Sequence, residues 1–167
     1  YWVVYTNVID GSQDFLALDK PNAKGDAGSS LPTSSVVYLG GSPADNANGN
    51  NYVAYCFAEI PGYSKIGSYT GNGAADGPYV ECGFKPKFVI IKSTAAGDWK
   101  IYDAARPGYN VQGGDLKSNT TGVETVAAEI DFTASGFKLR VATYPNAAQT
   151  YIYYAIADVP GKYSLGR

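Results

Sequence analysis

The chain has 167 residues, which suits one domain or two small ones sharing a core, and its formal net charge is −2. This charge balance gives no electrostatic case for binding nucleic acid or an anionic membrane. Histidine is absent, which excludes Ser-His-Asp and Cys-His catalysis and histidine-ligated metal centres. The sequence contains no run of 18 apolar residues, so it predicts no membrane-spanning helix.

The first half contains three strand-like stretches. "WVVY" at residues 2–5 comes first, and "SSVVYLG" at residues 34–40 follows a polar, glycine-rich stretch. The aromatic run "YVAYCFAEI" at residues 52–60 comes next and ends at Pro61-Gly62. Aromatic and β-branched residues favour strands, so we expect the 52–60 run to form a central strand. Such a strand is covered on both faces, or covered on one face and wet on the other through tyrosine hydroxyls.

The glycine-rich stretch "GNGAADGP" at residues 71–78 has three readings. A phosphate-binding loop would need a following Lys-Ser/Thr pair and a helix start, and neither is present. A calcium loop could use Asp76 and Asn72, but one carboxylate is few for a cation site. A tight turn in which glycines supply positive φ angles is the favoured interpretation.

The second half has five strand-like stretches. "GVETVAAEIDF" could form a short helix. Its Val and Thr residues favour a strand equally. The others alternate or form apolar runs between Gly, Pro and Asn turns, which predicts an all-β, sandwich- or jelly-roll-like fold with little or no helix. In chain order the five lie at residues 84–94, 98–104, 122–132, 135–141 and 151–159.

The chain repeats itself. The run beginning at Trp2 is matched by one beginning at Trp99, and the run beginning at Tyr52 by one beginning at Tyr151. Both halves end in an aromatic strand closed by Pro-Gly. We therefore predict two related halves packed as one body, with residues 1–62 as a partial, trailing unit and residues 63–167 as a complete one.

The partial unit has an expected consequence for assembly. It lacks a counterpart of the strand "GFKPKFVIIKS", which begins at Gly83. An open sheet edge must be covered within the chain or by a neighbouring subunit. We therefore expect a homo-oligomer or a polymer.

A glycan cleft is the candidate ligand site. A sugar has apolar and polar faces, so it suits an aromatic platform beside planar polar groups. Trp99 could be such a platform, although its alternation and its match to Trp2 favour a core position. The acidic residues are scattered without a local pair, so we expect no enzyme, no metal and no cofactor. The candidate glycan ligands are Tyr69, Asn72, Asp76, Tyr79, Asp103, Arg106 and Asn110, of which Asp103 and Arg106 could also pair to pin a loop.

The two cysteines, Cys56 and Cys82, allow two interpretations. They could form a disulfide in an oxidising setting, although spacing alone does not establish one. Cys56 lies in an apolar run, so it could also be a buried small hydrophobe.

Several stretches resemble a repeat domain of tailed-phage structural proteins, found in tail-fibre and virion-associated proteins of marine and cyanobacterial phages. They are "YVAYCFAEIPGYSKIGSYTGNGAADGP", "GFKPKFVIIKST", "DWKIYDAAR", "DFTASGFKLR" and "TYIYYAIADVP", which together cover most of the chain. The resemblance implies a surface protein of a virion, used for assembly or host adhesion, and it supplies no catalytic residue. The chain departs from the pattern at Cys82, where a small polar residue is expected, which adds weight to a pairing with Cys56.

The sequence thus predicts a structural or adhesive protein of a phage tail fibre or comparable extracellular appendage. Its expected partners are itself and other virion proteins, and its loops would contact a host-surface glycan. We expect no binding to nucleic acid and no insertion into a membrane. The alternatives are a lectin-like receptor-binding module and a capsid-decoration or filament subunit. A depolymerising enzyme is a further class, and it would need two carboxylates facing each other across a cleft.

Overall fold

A computed structural model describes residues 1–106 and 110–158. The second Pro-Gly pair, Pro160-Gly161, and the end of the predicted complete unit therefore lie outside the described residues. Eleven strands and no helix occur in the described part. The strands are β1 (Val3–Thr6), β2 (Asp14–Ala17), β3 (Gly25–Asp26), β4 (Ser64–Thr70), β5 (Tyr79–Glu81), β6 (Pro86–Ser93), β7 (Lys100–Asp103), β8 (Gln112–Lys117), β9 (Thr125–Phe132), β10 (Gly136–Leu139) and β11 (Thr150–Ala157).

The strands form two sheets. One has three strands in the order β1-β2-β3, and the other has eight in the order β4-β11-β6-β7-β8-β9-β10-β5. Neighbouring strands are antiparallel in both sheets. The prediction of an all-β, sandwich-like architecture is confirmed. No helix long and apolar enough to cross a membrane occurs among the described residues.

The eight-stranded sheet curls into a nearly closed, barrel-like form. Its edge strands are β4 and β5, yet Tyr69 of β4 and Val80 of β5 belong to one buried cluster with Phe137 of β10. The ring of Tyr69 stacks on Tyr151 at 5.1 Å between centroids and meets Phe137 edge-on at 6.0 Å. A sheet whose two edges share one core on one face must curl toward closure.

Strand β11 is the centre of one side of this sheet. It pairs with β4 on one edge and with β6 on the other. Tyr151, Ile152, Tyr153 and Ala155 are each at most 6% exposed, although successive side chains point to opposite faces. The inner face of β11 is therefore covered along its length, and its outer face is covered at Ile152 and partly exposed at Tyr154 and Ile156.

The three-stranded sheet packs on the outer face of the larger one. Leu16 of β2, Trp99 and Ile152 of β11 form a second buried cluster. The Trp99 Nε1 also donates to the carbonyl oxygen of Ala17 at 2.8 Å. The prediction that Trp99 is a core residue is confirmed, because its side chain joins the two sheets.

Two predicted strands are not formed. Residues 34–40 and 52–60 contain no strand. The second run has one isolated backbone bridge, between Ile60 and Ser64, and its Tyr55 and Phe57 rings contact Trp2 and Tyr154. Tyr55 is 70% exposed and Phe57 is 64% exposed. The physical reason is that a strand needs neighbours for its backbone hydrogen bonds, which strand-favouring side chains do not supply. The ambiguous stretch 122–132, in contrast, contains β9, which has a neighbour on each side.

Candidate functional site

The structure divides the candidate glycan ligands between the two ends of the eight-stranded sheet. Asn72 and Asp76 lie in the loop after β4, at the end where Tyr69 pairs with Tyr151. Asp103 pairs with Phe88 near the start of β6, so the loop after β7 lies at the opposite end. The antiparallel order therefore does not bring the seven residues into one cleft.

Tyr69 is directed into the core. It is 9% exposed, and its hydroxyl donates to the carbonyl oxygen of Pro145 at 2.8 Å. Burial raises the pKa of this hydroxyl well above its ordinary value. Its ring is packed against other aromatic rings and offers no face to a ligand.

The loop at residues 71–78 is a tight turn organised by Asn146, which is fully buried. The Asn146 Nδ2 donates to the carbonyl oxygens of Ala74 and Val141 at 2.8 and 2.7 Å. Its Oδ1 accepts the backbone N–H of Asn72 at 3.0 Å. Gly73 has a φ of +66°, as the turn interpretation requires. Asn72 therefore helps to close the loop, and sequence reasoning missed Asn146 because its partners are distant along the chain.

Asp76 and Tyr79 are also exposed at this end, as Asn72 is. The Asp76 carboxylate pairs with Lys138 Nζ at 2.7 Å, and that hydrogen bond lowers its pKa below the ordinary value. Tyr79 is 45% exposed, and its hydroxyl lies 2.6 Å from Ser135 Oγ and donates to Glu81 Oε2 at 3.0 Å. These groups form a shallow polar surface along β5 and β10, with one partly exposed ring.

The side chains after β7 hold their own chain together. Arg106 pairs with Glu124 at 2.7 Å and lies 4.0 Å from Asp103, so the predicted ion pair is present but is the longer of the two. The Asn110 Nδ2 donates to the carbonyl oxygen of Phe132 at 2.6 Å, and its Oδ1 accepts the Phe132 N–H at 3.0 Å. The side-chain amide of Asn110 thus satisfies the backbone N–H and C=O of Phe132, the last residue of β9, as a neighbouring strand would. Tyr109, in the same stretch, lies outside the described residues.

A buried ionic cluster lies inside the barrel-like sheet. The Lys100 Nζ is 2.6 Å from the Glu129 carboxylate and 3.6 Å from Asp115, and the Tyr102 hydroxyl donates to Glu129 at 2.5 Å. Burial raises the pKa of Asp115, and burial followed by the charge of Glu129 raises that of Tyr102. Asp115 is 1% and Glu129 6% exposed, so a polymeric substrate cannot reach these carboxylates in this conformation. In this part of the core one ammonium group faces two carboxylates.

Strand β7 explains why sequence reasoning missed this cluster. Trp99, just before β7, packs toward the three-stranded sheet, whereas Tyr102 packs into the barrel interior. Lys100 lies on the same face of β7 as Tyr102 and pairs with Glu129 there. Both faces are therefore buried, and a lysine on a buried face has no distinguishing sequence signal. Within residues 1–106 and 110–158, no group of three His, Cys, Asp or Glu side chains could hold a metal ion.

The cysteines do not form the predicted disulfide. Both are free thiols, with Cys56 exposed and Cys82 buried. The interpretation of Cys56 as a buried small residue is also wrong in this structure, because its segment does not join a sheet. Burial, and next the charge of Glu81, raise the pKa of the Cys82 thiol to about 12.

Comparison with known proteins identifies the family. The model of the family described as "Domain of unknown function (DUF7483)" matches residues 1–160. The chain therefore belongs to this family. A search of curated proteins and a search of solved structures gave no match.

Proposed function

We propose that this member of the DUF7483 family is a structural module of a phage tail fibre or comparable extracellular appendage, which assembles with further units of its own kind. The observation that carries the proposal is the exposure of residues 52–60. Their sequence matches that of β11, in which Tyr151 and Ala155 are fully buried. A contiguous exposed apolar surface of this kind is typical of a protein–protein contact.

The strand order supports the related-halves part of the proposal. Strand β1 follows Trp2 and pairs with β2, which pairs with β3. In the same way β7 follows Trp99 and pairs with β8, which pairs with β9. We do not retain the jelly-roll part of the prediction, because β6 to β10 follow one another as a meander in one sheet. The proposed units remain residues 1–62 and 63–167.

Self-association tests the proposal. We expect the chain to form dimers or larger species in sedimentation velocity over a series of concentrations, because the 52–60 side chains are in contact with water in the isolated chain. The double variant Tyr55→Ser, Phe57→Ser removes two of the most exposed side chains and is expected to be monomeric. Val123→Ser, Val126→Ser is the matched control, since those residues are 93% and 87% exposed but lie elsewhere. A chain that stays monomeric at high concentration would overturn the proposal.

A lectin-like receptor-binding module is the second candidate. It is favoured by the surface that joins the exposed ring of Tyr79 to Ser135 and to the Asp76–Lys138 pair. An aromatic face beside paired polar groups suits a sugar. A glycan array with the native chain and with Tyr79→Ala would test this candidate. Binding that persists unchanged in the variant would place the ligand elsewhere.

A further inference from the structure

We propose that residues 52–60 bind a β-strand of the same type as β6, and that this strand enters between residues 52–60 and the free edge of β1. The proposal deepens the proposed function and rests on its related-halves part. The partner is a segment of another repeat unit that is similar in sequence to residues 63–97. In that segment the strands equivalent to β4 and β6 would take the two sides of residues 52–60.

The second half shows how such a strand is held. Strand β6 lies between β7 and β11. It pairs with β7 from Phe88 opposite Asp103 to Ile91 opposite Lys100. On its other edge it pairs with β11, where Ser93 lies opposite Tyr151.

The first half has the two counterparts of this arrangement without the strand between them. Strand β1 is the counterpart of β7, and in the described residues it stands at the edge of its sheet with β2 as its neighbour. Residues 52–60 are the counterpart of β11. The edge of β1 that corresponds to the β6-bearing edge of β7 therefore presents unpaired backbone N–H and C=O groups, which are a template for another strand.

At matching positions, the side chains of residues 52–60 are more exposed than those of β11, although their chemical types are similar. Tyr52 is 47% exposed and its match Tyr151 is fully buried. Val53 is 63% exposed, whereas its match Ile152 is 6% exposed. Cys56 is exposed, and the match of this position, Ala155, is buried completely. The same kinds of side chain are thus buried where β4 and β6 are present.

The partner must be a strand rich in β-branched residues that can be buried on both faces. In β6 the inward side chains Val89 and Ile91 are fully buried, and Ile90 packs toward the three-stranded sheet. The molecule's own β6 cannot fill the place, because β7 and β11 occupy both of its edges. The occupant is therefore supplied by a further unit of the repeat.

A fusion protein tests the proposal. A second copy of residues 63–97 is joined ahead of Tyr1, so that its last residue precedes Tyr1-Trp2 as Gly97 precedes Asp98-Trp99 in the chain. Cys82 of the added copy is changed to Ala, which leaves Cys56 and the original Cys82 as the thiols. We expect the rate of Cys56 alkylation to fall by at least about tenfold, and amide exchange across 52–60 to slow, since a paired strand opens rarely.

The matched control carries Val89→Asp and Ile91→Asp in the added copy only, and in it Cys56 should react as fast as in the unfused chain. Continued protection of the original Cys82 shows that the second half is folded in every protein. Equal reactivity of Cys56 with and without the intact added segment would overturn the inference. Equal protection by the Asp-bearing segment would also overturn it, because the cover would then not be a β6-type strand. Sedimentation of the unfused chain decides the proposed function separately.

Discussion

Lys92 provides a quantitative test of the packing between the two sheets. It lies on β6 opposite Ile152 and is fully buried. Its Nζ donates to the carbonyl oxygens of Ser93 and Ala95 at 2.7 and 2.9 Å, and both acceptors are neutral. Burial lowers the pKa of this ammonium from 10.5 to about 8, and the charge of Asp98 opposes the shift.

The sign of the pH dependence follows from this lowered pKa. Between the folded pKa of about 8 and the unfolded value of 10.5, the unfolded chain binds more protons at Lys92 than the folded chain does. The free energy of unfolding therefore rises with pH in this window. With these two values, the contribution of Lys92 becomes more favourable by about 2 kcal/mol between about pH 7 and about pH 9.5.

The assay compares urea denaturation of the native chain and of Lys92→Met at several pH values in this window. The difference between the two proteins isolates Lys92, because Cys82 and the buried tyrosines titrate in both. We expect the native chain to gain about 2 kcal/mol on the variant as the pH rises. Lys87→Met is the matched control, since that side chain is 55% exposed on the same strand. A difference that stays constant with pH would refute the reasoning.

Three further predictions concern the loops and thiols. Asn146→Ala should lower the free energy of unfolding by about 3 kcal/mol in urea titrations, because several buried hydrogen bonds lose their partner together. Gly71→Ala should destabilise the chain strongly in thermal melts, because the added Cβ would collide with the backbone oxygen of Ala147. Gly122→Ala, whose nearest contact is 3.5 Å away, should not. In native protein a thiol reagent should modify Cys56 alone, and Cys82 should react only after denaturation; rapid modification of both thiols would contradict the described burial.

Local patterns were sufficient for much of the second half. Alternation and β-branched runs between turn residues predicted β6, β7, β10 and β11, and each has neighbours that satisfy its backbone. The stretch that became β9 was ambiguous because its composition fits two conformations. Pairing with β8 and β10 decides it, and a local pattern does not contain that information.

The failures share a non-local cause. Residues 52–60 and β11 have similar sequences, yet only β11 has neighbouring strands, so composition alone could not separate them. Tyrosine suits a binding surface, which favours Tyr69 as a ligand residue, but the register of β4 turns its side chain inward. Asn146 and Glu129 act on partners far away in sequence, and their contacts exist only once the sheet has curled.

The ion pairs of this molecule differ in how they respond to ionic strength. The Lys100–Glu129 pair is closed inside the sheet, where dissolved ions do not screen it. The Asp76 side chain is 86% exposed, so its attraction to Lys138 weakens as salt is added. Concentrated salt therefore weakens the Asp76–Lys138 pair beside the turn after β4, whereas the buried hydrogen bonds of Asn146 and the Lys100–Glu129 pair keep their strength. Ionic strength therefore separates the electrostatics of the surface from those of the core in this chain.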